Sequence, residues 1–186
     1  MLAMSPYTAY DSATCSIART LDLIGDRWTL LVLRDVANGV GRFDELIGHL
    51  GIARNVLSGR LARLAEAGLV ERTAYREPGE RERQAYRLSG PGRELMPILV
   101  AVMDWGDRHL AGPEGVPAVV RHADCGAPVQ VRLSCEAGHD LGPRPRLRTE
   151  PGPGSRLRPV SAVPGVLGWD PWQTSGWARP AGPTSR

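Results

Sequence analysis

Three groups of side chains in this chain have types and spacings suited to chemistry. The first lies in GIARNVLSGRLARLAEAGLVER, where Arg54, Asn55, Ser58, Arg60 and Arg63 fall on or beside one face of a helical run. Guanidinium, carboxamide and hydroxyl groups pair with phosphate oxygens and base edges, so such a face suits a nucleic-acid groove. The second is Cys15, at the start of an apolar helical stretch with Arg19 one turn away, a setting that favours thiol reactivity. The third is His122-x2-Cys125-x9-Cys135-x3-His139, four soft or borderline metal ligands with a close pair at each end.

Each group has a finer reading and a plainer one. Asn55 matches the adenine edge and Arg54 the guanine edge of the major groove, while Ser58, Arg60 and Arg63 suit phosphate or sugar contacts. Any of the five also fits an ordinary exposed helix. Cys15 is either a reactive thiol or a small apolar residue packed at a helix start. With no cysteine nearby as a resolving partner, sensing through it requires an intersubunit disulfide or a small-thiol adduct. The His122, Cys125, Cys135 and His139 set is either a structural zinc site, because four protein ligands leave no open position, or a small β appendage with incidental cysteines. No cofactor is required by any other feature.

Composition narrows the class. The chain has 186 residues, 42% hydrophobic, enough for one packed core with extras. Its net charge of +3 is too small to argue for nucleic acid, so the distribution of arginines carries that argument. No Gly-rich phosphate loop or nucleophile elbow is present, and none of the four histidines stands beside an evident nucleophile and carboxylate. The expectation is therefore a non-enzyme. No run is apolar enough for a bilayer, since TLLVLRDVANGV is broken by Arg34 and Asp35, and no membrane partner is expected. The opening MLAMSPYTAYDSA has no secretory pattern, and three cysteines make no disulfide framework, so the expected setting is a reducing cytoplasm.

The elements that must position these residues follow from periodicity. Ile17, Leu21 and Ile24 mark a first helix, and Asp26 caps a second whose apolar face is Trp28, Leu31, Val32 and Val36. Leu46, Ile47 and Leu50 mark a short third helix that ends at the turn residue Gly51. A fourth helix over 53–67 puts Leu57, Leu61 and Leu64 on one face and Asn55, Gly59, Ala62 and Arg63 on the other. LVERTAY and QAYRLS read as strands of a hairpin, with Arg76, Arg81 and Arg83 interleaved by Glu77, Glu80 and Glu82 at its tip. Its arginines suit phosphate contact or a simply solvated turn. A last helix over 91–110, capped by Ser89, carries Leu95, Leu99, Val102, Met103 and Trp105 and meets Pro97, which predicts a kink or a late start.

That order predicts a mainly α fold with a small β-wing, a winged helix-turn-helix. The predicted organisation is a flexible arm over 1–14, a DNA-binding and dimerisation domain over 15–111 and a linker over 112–120. A β-rich, zinc-ribbon-like module follows over 121–142, where VQVRL predicts a strand between the ligand-bearing turns, and a disordered Pro/Gly/Arg-rich tail over 143–186. The tail includes Trp169, Trp172 and Trp177, for which no role is assigned.

The run CSIARTLDLIGDRWTLLVLRDVANGVGRFDELIGHLGIARNVLSGRLARLAEAGLVER resembles the HxlR-type winged helix-turn-helix regulators, which are related to the MarR type. The resemblance covers about 15–110 and rests on five ordered elements: the cysteine opening the first helix, DLIGDRWTLLVLRD, RF-x-EL, VLS-x-RL-x-x-L and GLVER. It implies a homodimeric, sequence-specific transcriptional regulator of double-stranded DNA that binds an inverted-repeat operator, often as a repressor. It also implies that Arg54, Asn55, Ser58 and Arg60 open the recognition helix and that Arg81 and Arg83 lie on the wing. Some regulators of this type sense oxidants or electrophiles through a cysteine at the place of Cys15, which makes a small-molecule or oxidant effector a candidate partner. The rival reading is a winged-helix adaptor that binds protein rather than specific DNA.

Overall fold

The computed structural model describes residues 9–76, 79 and 82–157. It divides into two units, Met1–Asp22 with Leu147–Arg186, and Leu23–Arg146. In the first unit a single 3-10 turn, Ser12–Thr14, is capped by the Asp11 carboxylate, which accepts from the Ala13 N–H at 2.9 Å. Tyr10 pairs antiparallel with Leu157, and the Asp11 N–H donates to the Arg156 carbonyl at 2.8 Å.

Helix α1 (Ser16–Ile24) buries only Ile24; Ile17 and Leu21, at the predicted helical spacing, are exposed. Helix α2 (Arg27–Ala37) starts at Asp26, whose carboxylate accepts from the Trp28 and Thr29 N–H groups at 3.1 Å each. These bonds satisfy donors that a helix start otherwise leaves open. Its buried face is Thr29, Val32, Leu33, Asp35 and Val36. Leu33 takes the interior place predicted for Leu31, because α2 is covered on more than one side and its apolar arc is wider than a single stripe.

Helices α3 (Phe43–Leu50) and α4 (Arg54–Glu66) are joined by three residues. Gly51 makes the bend with φ 63°, and Ile52 drops its side chain into the core. Leu46 from α3 and Leu57, Leu61 and Leu64 from α4 are at most 1% exposed against Val32, Leu33 and Val36. Truncating any one of these leucines to alanine costs about 2–5 kcal/mol by cavity formation. Asp35, also buried, is satisfied by His49 Nδ1 at 2.6 Å and Arg34 Nη2 at 2.7 Å, so the carboxylate ties α2 to the end of α3.

Strands β1 (Val70–Tyr75) and β2 (Arg83–Leu88) pair antiparallel with register Val70↔Leu88 through Tyr75↔Arg83. Arg42 adds a bridge to Ala85, and the Tyr86 N–H donates to the Gly41 carbonyl at 2.8 Å. A Cβ at Gly41 would overlap the Tyr86 carbonyl oxygen, so this close approach of wing to helices needs glycine. The wing's base is closed by Ser89, whose hydroxyl donates to the Gly68 carbonyl and accepts from Gly92 N–H at 3.0 Å.

The predicted long C-terminal helix is two pieces, α5 (Gly90–Arg93) and α6 (Met96–Leu110). Pro97 lies in the first turn of α6, where its missing N–H has no intrahelical partner to lose. The late start, rather than a kink, is what that proline produces. After α6, Arg121 pairs with Pro128 and Ser134 with Asp140 in two successive reversals. The predicted VQVRL strand makes no ladder: Val129 and Leu133 are held only at the ends, by Val120 and Leu141. Among the described residues no helix is long and apolar enough to cross a membrane.

Candidate nucleic-acid interface

The surface best suited to DNA is the outer face of α4. Burial of Leu57, Leu61 and Leu64 leaves Asn55, Ser58, Gly59, Ala62 and Arg63 exposed on the opposite side. Small residues let a helix approach a groove floor, and the polar ones supply donors and acceptors. Ala53, the residue before α4, supplies no side-chain cap, so the first N–H groups of the helix have no capping acceptor there.

Four charged residues organise the edge of this face. Arg54 Nη2 donates to Asp44 Oδ1 at 2.6 Å, and its guanidinium carbon lies 5.6 Å from the Phe43 ring centroid. From the wing, Arg83 Nη1 lies 3.6 Å from Asp44 Oδ2. Asp44 in the first turn of α3 therefore holds an arginine of α4 and an arginine of the wing strand β2 on one carboxylate. Arg42, at the start of α3, stacks its guanidinium 4.7 Å from the Tyr75 ring. Neither Asp44 nor Arg42 was singled out from the sequence. The signal available was RFDEL itself, but the pairing spans α3, α4 and β2 and has no periodicity.

Arg60 differs from the other predicted contacts. It is half-buried, and its Nε lies 3.2 Å from Asp26 Oδ1. Burial pushes the Asp26 carboxyl up, but the Thr29 hydroxyl and N–H, the Arg60 guanidinium and the Trp28 N–H outweigh it and hold the group below the ordinary carboxylate range. Arg60 thus joins α4 to the cap of α2. Arg81 lies outside the described residues, as do Glu77, Pro78 and Glu80.

Cys15 is half-buried immediately before α1, and its carbonyl accepts from the Arg19 N–H at 3.0 Å. The four predicted metal ligands form two pairs, His122 with Cys125 and Cys135 with His139. Among the described residues no group of three or more His, Cys, Asp or Glu side chains shares a metal-binding arrangement.

The comparisons with known proteins agree with this geometry. A family model for HxlR-like helix-turn-helix proteins matches residues 23–113. An uncharacterized HTH-type transcriptional regulator of Mycobacterium tuberculosis is 43% identical over 148 residues, covering 79% of this chain and 92% of the relative. Another, from Synechocystis, is 34% identical over 97 residues, 52% of this chain and 70% of that one. Among solved structures, that of PA1607, a candidate transcription factor, superposes with a TM-score of 0.65 at 34% identity over 75% of this chain and 96% of its own. PA1374 of Pseudomonas aeruginosa, another candidate transcription factor, reaches 0.51 at 34% identity, with 75% and 93% covered.

Proposed function

The chain belongs to the HxlR-like helix-turn-helix family and is a DNA-binding transcriptional regulator, not an enzyme; from that premise we propose that it binds an inverted-repeat operator as a homodimer and acts as a repressor. The observation that carries the reading is the exposed face of α4, small and polar along its length and edged by Arg54 and Arg83.

In this reading Arg54 and Asn55 address base edges, where each bidentate pair contributes about 1–3 kcal/mol of discrimination. Ser58 and Arg63 contact the phosphate-sugar backbone and set register, with the wing arginines Arg81 and Arg83 on the flanking phosphates. Arg60, engaged with Asp26, fixes the pose of the helix more than it touches DNA. Dimerisation uses α6, where Ile98, Val102 and Trp105 recur at i, i+4 and i+7 and are 45%, 56% and 54% exposed. A dimer on operator DNA occludes polymerase, which is the simplest route to repression in the cytoplasm. Cys15 is the candidate effector site: its thiolate adds to a ring carbon of a quinone, forming a C–S bond while the ring oxygen gains a proton.

Selection of bound sequences from random DNA with the reduced full-length protein tests this reading. The expected result is an inverted repeat with half-site centres about 10 bp, or a whole number of turns, apart. Enrichment of a single unrepeated half-site would remove the dimeric operator, and no enrichment by folded protein would remove sequence-specific recognition. Exposing the protein to a quinone should release the selected DNA, and Cys15→Ser should hold it; release by both proteins would discharge Cys15 from the effector role.

A further inference from the structure

An acidic side chain beside a DNA-binding face repels phosphate and so lowers affinity. Asp44, in the first turn of α3 and 56% exposed, is such a residue, with partners on α4 and β2. The helix itself relies on its neighbour: Glu45 accepts from the Arg42 N–H at 3.3 Å. Exposed ion pairs add little to stability, and an acid in a first turn adds only a modest interaction with the helix dipole. Stability alone does not account for Asp44.

What Asp44 holds is Arg54, the first residue of α4. One of its oxygens accepts from Arg54 Nη2 at 2.6 Å, a short, charge-assisted bond. The Phe43 ring, 5.6 Å from the guanidinium carbon, lies within cation–π distance. Two neighbours in sequence thus restrain one guanidinium. Arg83 Nη1 lies 3.6 Å from the other Asp44 oxygen, beyond direct hydrogen-bond length, so Asp44 restrains the wing arginine less.

A guanidinium has several N–H donors, and Asp44 engages only the Nη2 group of Arg54. The donors that remain suffice for a bidentate contact, and guanine offers O6 and N7 to match. An unrestrained arginine ends on whichever anion is nearest, and on DNA that is a phosphate. A held arginine loses less freedom on reaching a base edge. The carboxylate that holds it also repels the competing phosphates.

We propose that Asp44 is a specificity-determining residue: it withholds Arg54 from phosphate and presents the remaining donors to a guanine edge. The inference rests on the operator reading, in which Arg54 addresses a base. It adds that discrimination at this position is set from α3, outside the helix that enters the groove. Affinity for DNA of any sequence is lower than the arginines alone would give, and preference for the operator is higher.

The test is a double-mutant cycle of parent, Asp44→Asn, Arg54→Ala and the double variant, as full-length reduced protein. Each is titrated with a random-sequence duplex and with the duplex that the parent selects, across a salt series. Thermal melts establish that all four are folded, and Asp44→Ser, read in the same way, is the second variant. Asp44→Asn should bind the random duplex several-fold tighter, with a slope of log K against log salt steeper by about 0.9 for the phosphate that Arg54 gains. Its preference for the selected duplex should fall at least about fivefold, the lower end of what one bidentate contact contributes. In the Arg54→Ala background both changes should largely vanish, which isolates the coupling between the two residues. Equal effects of Asp44→Asn in both backgrounds would show repulsion by the carboxylate alone and overturn the restraint. So would weaker binding of the random duplex, or an unchanged preference. A parent that selects no sequence, with the cycle still coupled on the random duplex, would remove the operator reading and leave only the restraint against phosphate. A parent that selects an inverted repeat without coupling would remove the role of Asp44 and keep the operator.

Discussion

At the scale of single residues, acidic side chains decide what the arginines do. Asp26 occupies Arg60 and Asp44 occupies Arg54, so both of these arginines are already engaged in the free protein. Asn55 and Arg63 separate reading from positioning. Asn55→Ala should flatten base preference at one operator position, by about 1–3 kcal/mol, with little change in salt dependence. Arg63→Ala should weaken operator and random DNA alike and lower the slope of log K against log salt by about 0.9. Parallel binding titrations across a salt series distinguish these results. For Asp26, substitution by asparagine keeps a neutral cap acceptor but removes the charge facing Arg60. Because the carboxyl is held below its ordinary value, its charged form stabilises the fold above about pH 4, and that contribution disappears as pH falls through the lowered folded value. Urea unfolding at pH 7 should show Asp26→Asn less stable by about 0.5–1 kcal/mol, discounted for partial exposure, with the difference shrinking steadily as the pH is lowered below about 4.

Elements are set by local chemistry up to their ends, and by contact beyond them. Asp26, Gly51, Ser89 and Pro97 each mark a boundary through a cap, a left-handed turn or a missing donor, and each does so where the sequence predicts. The attachment of the wing has no such local mark. It depends on Gly41, whose carbonyl accepts from Tyr86 and whose lack of a Cβ admits the opposing backbone. Gly41→Ala should destabilise the domain by about 1–3 kcal/mol, as overpacking against backbone does, and lower its melting temperature. Hydrogen exchange should show the loss concentrated in β1 and β2; unchanged protection there would mean that the wing does not need this approach.

At the scale of the molecule, the unresolved balance is between apolar surface and water. Among the described residues, Ile98, Val102 and Trp105 on α6 form a row that stays about half-exposed beside Val131. Val102→Glu places a charge in the middle of that row without touching the core. Sedimentation should show a shift from dimer to monomer, and operator affinity should fall because the second half-site is no longer held. A variant that remains dimeric would locate the interface elsewhere. The formal charge of +3 makes the same point about DNA: binding strength comes from where the arginines lie, so it should weaken steeply with salt despite the small net charge.

The residues alone specify helices α1 to α4, the two wing strands and the inward leucines of α4, and so the outward face proposed to meet DNA. Periodicity and caps are local, and a helix that buries 57, 61 and 64 has no choice about where it puts 55, 58 and 63. The residues also mark the His and Cys pairs, because ligand spacing within a turn is a local property. Contacts between elements, by contrast, make Leu33 rather than Leu31 interior, join Arg60 to Asp26 and gather arginines from two elements on Asp44. These depend on how many sides of a helix are covered and on which charges converge from distant parts of the chain, and no spacing rule along one strand or helix encodes that convergence.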